Sequence, residues 1–387
     1  MSRIRANKPG DIAAILRFFY CGRGDTILVE AGNCCGLIDC NLTPSSHADS
    51  RIRDYLDDRG IGVLDFVCLT HPDQDHYFGM KELLEERFWD PKQKVPRFNQ
   101  YWDSGTDFQG LQALADRQRG EKRKAIAKRF RDLNRFICRL INRDVIKYTV
   151  LGEGTPAAEQ FGNFSFIALG PSSNRVRHFM GQKWRKFLQS TDDLLQGPCE
   201  ETNNLSTVLV MMHNERPLNI LFGGDATTEV WAEAIEVWKK LHERKRFKGR
   251  KPFFSGVKVS HHGARGSLHP ELYRDHCQGE ETIAILSVGP GDPHHPHEDV
   301  KQMLRGHGIR AYATCWPMGV ESTADVDTHG WLPLPGELMG TGTDGPAGET
   351  SGNLDDYPRL LGHRCADVEI TVYADGRIEA NPQESLL

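Results

Sequence analysis

The sequence predicts an α/β fold whose ligands bind where the strands end. Short apolar runs typical of strands alternate with segments whose apolar residues repeat at helical spacing, such as residues 80–88. Clusters rich in Asp and His follow several of the apolar runs directly. Because α/β sheets bind ligands at the carboxyl ends of their strands, these clusters mark the expected site.

Composition restricts the protein class further. The chain has 387 residues, which suits two or three domains or, equally well, one large α/β domain with insertions. Its 39% hydrophobic and 26% charged residues exclude wholesale disorder. It contains no apolar run of about 18 residues and no signal-peptide pattern, so we expect a cytoplasmic protein without a membrane role. The ten cysteines form no CxxC pair, which excludes a zinc ribbon and a thioredoxin-like motif.

Each predicted element follows from its local pattern. Residues 12–20 and 26–40 are predicted strands joined by a turn at 21–25, and the buried strand 64–69 runs into a polar cluster. Helices are predicted at 50–59 and 230–241. The remaining predicted strands are 161–169, 206–212, 218–222, 256–260 and 282–288, with a closing hairpin at 368–380.

Basic residues are concentrated in three stretches of a chain whose net charge is −5. Residues 109–148 contain twelve Lys or Arg against four acids, residues 239–251 contain eight against one, and residues 175–186 contain five and no acid. Such islands suit a polyanion, because each neutralised phosphate releases counterions. Solvated helix faces are the alternative explanation.

The first island predicts a basic helix with one apolar seam. Its apolar residues recur at steps of four and three, which leaves the basic side chains to solvent or to a partner. The seam consists of Ile126, Phe130, Leu133, Ile137 and Leu140. Among the basic residues, Lys124, Lys128 and Arg131 are the candidates for binding a nucleic-acid backbone.

The strongest polar cluster follows the strand 64–69. His71, Asp73, Asp75 and His76 supply four potential ligands within six residues, enough for two adjacent cations. Imidazole and carboxylate suit Zn, Mn or Fe, and the weight of carboxylate shifts the preference toward Mn or Mg. The further clusters at predicted strand ends are Asn203-Asn204, Asp225, His261-His262 and the segment 292–297 with His295.

The motif at residues 70–76 resembles the second signature motif of the metallo-β-lactamase superfamily, usually HxHxDH. With Asp73 in place of the second histidine, it is similar to the soluble hydrolase domain of ComEC-like proteins. A GxGD-type turn, an LIDxG-like strand end, an NNxS segment, a GD strand end, an HHG strand end and a late HP segment follow the same order. In this chain they correspond to residues 22–25, 37–39, 203–206, 224–225, 261–263 and 295–296.

The resemblance implies a metallo-β-lactamase αββα four-layer sandwich as a single domain over residues 1–387. Two segments are not obvious family features and are expected as insertions, a basic helical one at about 90–150 and a loop-rich one at about 316–362. No membrane segment is predicted, so a transport role is not carried over.

The resemblance also implies roles for individual residues. His71 and Asp73 would belong to one metal site, Asp75 and His76 to the other, and Asp225 would bridge the two ions. One of the adjacent histidines would be a ligand, and His261 is favoured because it lies nearer the strand end. The superfamily's third-motif histidine is missing, and Asn203 or Asn204 falls near its place.

Hydrolysis by a metal-bound hydroxide follows from the same resemblance, with Mn²⁺ or Zn²⁺ expected and Mg²⁺ as a further option. His295 would contact a developing phosphorane oxygen or donate to the leaving group. Together with Asp75 and His262 it forms the predicted catalytic group, and Arg265 would bind phosphate.

We therefore expect a phosphodiester hydrolase, most simply a nuclease acting on DNA or RNA, with a partner such as an operon-encoded ATPase. Hydrolysis of a small molecule (a lactone, a thioester or a cyclic nucleotide) and a non-catalytic role in a defence-type complex are the alternatives. The sequence leaves the oligomeric state open.

Overall fold

The structure is a computed structural model, which describes residues 11–42, 48–105, 121–189, 200–243, 253–289, 292, 295–317 and 363–384. Strands and helices are numbered below in chain order. Most of the second predicted insertion, at 316–362, lies outside the described residues, as do residues 244–251 of the second basic island.

The first sheet contains nine strands within the described residues. In sheet order they are β16 (Cys315–Pro317), β17 (His363–Tyr373), β1 (Ile12–Phe18), β2 (Thr26–Ala31), β3 (Cys34–Cys40), β4 (Phe66–Cys68), β7 (Gln100–Asp103) and β8 (Lys147–Val150), with β18 (Ile378–Glu384) paired to β17. Strands β3, β4, β7 and β8 run parallel, so their carboxyl ends lie along one edge of the sheet.

The second sheet contains seven of the described strands. Their order is β15 (Arg310–Ala313), β14 (Ile283–Leu286), β13 (Gly256–Lys258), β12 (Asn219–Phe222), β11 (Val208–His213), β10 (Phe164–Gly170) and β9 (Pro156–Phe161). Strands β12 to β15 are parallel, which again collects the carboxyl ends of successive strands at one edge. A separate hairpin joins β5 (Trp89–Asp90) to β6 (Val95–Pro96).

Three apolar clusters divide the molecule into four layers. The central cluster lies between the sheets and includes the stacked rings of Phe66 and Trp102, whose centroids are 3.9 Å apart. The helices α1 (Ala48–Asp58), α3 (Met80–Arg87) and α4 (Glu121–Asn142) cover the outer face of the first sheet. The helices α7 (Thr228–Glu243), α8 (Pro270–His276) and α9 (Glu298–Gly306) cover the second.

This arrangement confirms the predicted αββα sandwich. The short helix α2 (Gln74–Tyr77) follows β4, and α5 (Ser173–Gln189) and α6 (Glu200–Asn203) lie between β10 and β11 in the chain. Among the described residues, no helix combines the length and the apolar character needed to cross a membrane.

One sequence prediction is wrong in the structure. The segment 26–40 is a hairpin of two strands rather than one strand, because Gly32 adopts a φ of 62° at its turn. The segment expected as an insertion at 90–150 contributes β7 and β8 to the first sheet, with the basic helix α4 between them. Its apolar seam is buried at Phe130, Leu133, Ile137 and Leu140.

The end of β7 carries a buried acid that local sequence patterns do not predict. Asp103 is 2% exposed, and its Oδ1 accepts hydrogen bonds of 2.7 Å from the Tyr148 hydroxyl and the Gly105 backbone N–H. Burial nevertheless raises the pKa of Asp103 to about 7 from an ordinary value of 3.8, because the charged form is poorly solvated.

We expect Asp103→Asn to stabilise the protein at pH 8. The folded state holds the Asp103 proton more tightly than the unfolded chain, so this residue lowers stability progressively from about pH 4 to about pH 7. The gain at pH 8 should be about 1–3 kcal/mol, since each pKa unit corresponds to about 1.4 kcal/mol. Urea unfolding at pH 5 and pH 8 measures it.

The exposed Asp144 provides the matched control, and Asp144→Asn should leave the difference between the two pH values unchanged. An Asp103→Asn protein that keeps the wild-type pH dependence would contradict the assignment.

Candidate metal centre

The predicted motif folds as a tight turn at the carboxyl end of β4. His71 and His76 are buried, whereas the side chains of Asp73 and Asp75 are 14% and 30% exposed. The His76 N–H donates to the Asp73 carbonyl (3.0 Å), and the Asp25 N–H donates to the Asp75 carbonyl (3.1 Å). Both backbone bonds fix the turn that carries the four side chains.

The second sheet brings its own side chains to the same place. Asp225 follows β12, and the two adjacent histidines follow the parallel neighbour β13. The Asp225 N–H donates to Ser206 Oγ at 2.7 Å. Gly223 is required here, because a Cβ on it would lie 2.1 Å from Ser260 Oγ.

Asp225 lies at the meeting point of the two sheets. Its Oδ1 is 3.4 Å from His76 Nε2, and its Oδ2 is 3.9 Å from His71 Nε2 and from His262 Nε2. Asp75 Oδ2 lies 3.5 Å from His262 Nε2. Two groups of donors result, each with atoms within 4.8 Å of one another, namely His71, His76 and Asp225, and Asp75, His76 and His262.

Buried atoms that lack hydrogen bonds test whether these residues suit a metal. Among the described residues, His76 Nε2, His262 Nε2 and Asp225 Oδ1 are buried without a hydrogen-bond partner. Such atoms are costly to bury unless something binds them. All three face one another across the donor groups, and imidazole nitrogen with carboxylate oxygen is a standard set for divalent transition metals. The residues therefore fit two divalent ions.

The other ring nitrogen of each histidine has a partner of its own. His76 Nδ1 lies 2.7 Å from Asp39 Oδ2, and His262 Nδ1 lies 2.8 Å from the Ser287 carbonyl oxygen. His71 Nδ1 lies 3.1 Å from Thr70 Oγ1. These contacts fix the ring orientations and leave each Nε2 directed at the donor groups, as second partners do around bound metals.

The acidic and histidine side chains of the centre shift one another's pKa values. Burial would raise the pKa of Asp225, but the neighbouring His76 and His262 hold it well below its usual range. Burial would likewise lower the pKa of His76, yet Asp225 and Asp39 raise it well above its ordinary value. The Asp225 carboxylate is therefore ionised and able to act as a ligand.

Asp25 and Lys258 form a buried ion pair behind the centre that sequence reasoning did not identify. Asp25 Oδ2 lies 2.9 Å from Lys258 Nζ, and both side chains are 1% exposed. Burial opposes ionisation of Asp25, but Lys258 holds its pKa below the ordinary value. The pair joins the turn 21–25 of the first sheet to β13 of the second.

The structure distinguishes the two adjacent histidines. His262 is buried and belongs to one of the compact donor groups, whereas the His261 side chain is 24% exposed and its Nε2 lies 3.9 Å from Asp225 Oδ2. Asn203 is buried, with its Nδ2 3.4 Å from His261 Nδ1. The sequence preference for His261 as the ligand stays a prediction.

Three other predicted residues lie around the centre with partners of their own. Asn204 Oδ1 accepts hydrogen bonds from Arg175 Nη1 (3.0 Å) and Thr227 Oγ1 (3.1 Å), so Asn204 is held between α5 and the start of α7. Arg265 is 73% exposed and pairs with Asp299 at 2.9 Å. The His295 ring centroid lies 5.5 Å from that of His261 and 6.2 Å from that of His262.

The basic helix α4 packs directly beside the motif. Phe130 contacts Tyr77 with ring centroids 5.1 Å apart, and Arg129 lies over the Phe78 ring at 3.8 Å. Lys128 is exposed and pairs with Asp132 at 3.0 Å, and Arg131 is half-buried. The Lys124 side chain lies outside the described residues, although the helix includes its backbone.

Comparison with known proteins supports the resemblance. No family model matches the chain. ComE operon protein 3 from Bacillus subtilis (strain 168) is 24% identical over 309 residues, which cover 76% of this chain and 31% of that protein. The chain thus spans less than a third of the length of this relative. The predicted resemblance to ComEC-like proteins is confirmed.

Solved structures align more loosely. A diphosphatase from the PhnP family aligns with 77% of this chain and 94% of its own, with a TM-score of 0.37 and 12% identity. The diiron β-hydroxylase CmlA from Streptomyces venezuelae covers 82% of this chain and 48% of its own, with a TM-score of 0.33 and 13% identity. Both TM-scores are too low to indicate a shared reaction or substrate. The four layers and the two donor groups themselves fit a protein that binds two divalent metal ions.

We expect Mn²⁺ or Zn²⁺ to stabilise the folded protein through this centre. At a free-ion concentration 100 times its Kd, one bound ion stabilises by about 2.7 kcal/mol. Asp225→Ala should remove most of this stabilisation, because Asp225 contacts both donor groups. Thermal unfolding with and without the ion, alongside calorimetric titration of the ion-free protein, measures the effect.

Asp299→Ala, which removes an exposed carboxylate outside the donor groups, is the control and should respond to the ion as the wild type does. Equal stabilisation of the Asp225→Ala protein would show that the ion binds elsewhere.

Proposed function

We propose that the chain is a metal-dependent phosphodiesterase that cleaves nucleic acid. The observation that carries the proposal is the contact between the basic helix α4 and the residues that follow the metal motif. Tyr77 and Phe78 come directly after His76, and they pack against Phe130 and Arg129 of that helix. A cationic surface beside a two-metal centre suits a substrate whose backbone is a chain of phosphates.

Two divalent ions bound there would lower the pKa of coordinated water and neutralise charge on the phosphate. We propose that His71, Asp73 and Asp225 hold one ion, and that Asp75, His76, His262 and the shared Asp225 hold the other. His262 is preferred to His261 as the ligand because it is buried and its Nδ1 is fixed by Ser287. Asn203 takes the place of the missing histidine, and Mn²⁺ is the proposed activator, with Zn²⁺ as the alternative and Mg²⁺ as a further option.

The protein's own groups orient the substrate. We propose that His295 contacts the phosphate or the leaving oxygen, since its ring lies against the histidines of the centre and its Nδ1 is 3.1 Å from Asp292 Oδ2. Asp39 and Thr70 keep His76 in position, since Asp39 also accepts from the Thr70 backbone N–H (2.8 Å) and hydroxyl (2.7 Å). An ATPase partner stays a prediction.

Digestion of plasmid and single-stranded DNA and of RNA tests the proposal. We expect cleavage with Mn²⁺ and none after treatment with EDTA. Asp75→Ala should lose at least about a hundredfold in rate, since the second ion loses a ligand and its alignment. Inactivity on all three polymers, with hydrolysis of a lactone, a thioester or a cyclic nucleotide instead, would replace the nuclease assignment with the small-molecule alternative.

The basic helix gives a separate prediction. The triple variant Lys124→Ala, Lys128→Ala, Arg131→Ala should keep its metal and its turnover of bis(4-nitrophenyl) phosphate, yet bind long DNA or RNA at least about tenfold more weakly. The slope of log affinity against log salt should fall by about 0.9 for each lost contact with duplex DNA. Anisotropy of a labelled duplex across a salt titration measures both.

A control triple variant removes three exposed charges that lie outside the basic islands, namely Arg216→Ala, Arg274→Ala and Arg305→Ala. It should bind as the wild type does. If the two triple variants behave alike, helix α4 is not the nucleic-acid surface.

A further inference from the structure

The buried carboxylate of Asp292, at the edge of the metal centre, contacts the side chains of Arg23 and His295. Asp292 has a side chain that is 4% exposed. Its Oδ2 accepts from Arg23 Nε (3.1 Å) and Nη2 (2.8 Å) and lies 3.1 Å from His295 Nδ1, while its Oδ1 accepts from the His295 backbone N–H (3.2 Å). One carboxylate therefore fixes both side chains relative to each other.

Arg23 reaches this carboxylate from the other sheet. It lies in the turn between β1 and β2, where the Asp25 N–H bonds to the Asp75 carbonyl (3.1 Å). Gly24 permits that approach, since a Cβ on it would be 2.3 Å from the same carbonyl oxygen. The turn at residues 21–25 therefore packs directly against the metal motif at residues 71–76. Arg23 is 42% exposed, and its Nη1 has no partner within the described part of the chain.

The other cations near the centre are less suited to an incoming anion. Lys258 is buried and paired with Asp25. Arg265, the residue that the sequence favoured for phosphate, is 73% exposed and pairs with Asp299, whose side chain is also exposed. Arg23 combines an open guanidinium edge with a buried anchor, so binding an anion costs it little side-chain entropy.

We infer that Arg23 is the phosphate-binding side chain of this site and that Asp292 is its positioning residue. The ligand class is the phosphodiester anion, and the inference rests on the proposed nuclease function for the identity of the substrate. Arg23 Nη1 donates to a non-bridging phosphate oxygen, while Nε and Nη2 stay on Asp292. His295, held by the same carboxylate, faces the same phosphate.

Asp292→Asn separates positioning from simple electrostatics. Removing a negative charge beside an anion site strengthens anion binding if charge alone matters. If Asp292 positions Arg23, the same substitution weakens binding, because an amide group cannot accept from every donor that Asp292 now satisfies. The two explanations therefore predict opposite signs.

The primary experiment measures binding of labelled single-stranded dT12 in EDTA, so that no metal contributes. We expect Arg23→Met to bind about tenfold more weakly, the order of one charge-assisted hydrogen bond. The salt slope should fall by about 0.7. Asp292→Asn should also bind more weakly, and the double variant no more weakly than Arg23→Met, since the two residues act as one unit.

Arg377→Met provides the matched control. Arg377 is exposed and pairs with Asp375 at 3.1 Å, in the turn between β17 and β18. The register Ile12↔Tyr373 and Phe18↔Val368 puts that turn at the end of β1 opposite Arg23. Arg377→Met loses the same charge and should bind dT12 as the wild type does. Circular dichroism and thermal unfolding confirm that each variant is folded.

A second measurement separates this inference from the proposed function. Hydrolysis of bis(4-nitrophenyl) phosphate with Mn²⁺ should show a higher KM for Arg23→Met, with a smaller change in kcat. If the wild type hydrolyses no phosphodiester, the proposed function fails whatever the binding data show. Wild-type binding of dT12 by Arg23→Met, tighter binding by Asp292→Asn, or no binding of dT12 by the wild type would each overturn the inference.

Discussion

The carboxylate of Asp225 is the constraint on which the site depends. The Nε2 atoms of His71, His76 and His262 all lie within 3.9 Å of its oxygens, and these histidines come from both sheets. Asp225 follows a strand of the second sheet, whereas His71 and His76 follow a strand of the first. The two sheets must therefore pack in one relative position for the donor groups to exist. The apolar cluster between the sheets fixes that position, so the geometry of the donor groups depends on the packing of the core.

The sequence predicted those parts of the molecule that local pattern encodes. Alternation of apolar runs and helical periodicity indicated an α/β fold, whereas its division into two sheets came from the resemblance to the metallo-β-lactamase superfamily. The steps of four and three located the buried seam of α4. The dense motif at residues 71–76 indicated ligands because four donors of the right type are adjacent in the chain. The prediction of one strand at residues 26–40 overlooked a local signal, because Gly32-Asn33 is a typical turn pair between two apolar runs.

Contacts between residues far apart in sequence could not be predicted in the same way. Asp25 and Lys258, Asp39 and His76, and Arg23 and Asp292 are pairs whose members lie on different elements. Nothing in the chain near any of these residues specifies its partner. The choice between the adjacent histidines is of the same kind, because both follow β13 at nearly equal distance. Burial of His262 and its contact with Ser287, against the partial exposure of His261, distinguish their environments.

These long-range pairs share one physical property that explains their location. Each pair places a cation or an imidazole beside a carboxylate near the donor groups, which reduces repulsion between the acidic side chains. Lys258 offsets Asp25, and Arg23 offsets Asp292. Of these cations, Lys258 is fully buried and can only balance charge, whereas Arg23 remains partly open to solvent. Lys258 therefore balances charge inside the protein, whereas Arg23 balances charge and also has a solvent-exposed edge that can bind a substrate.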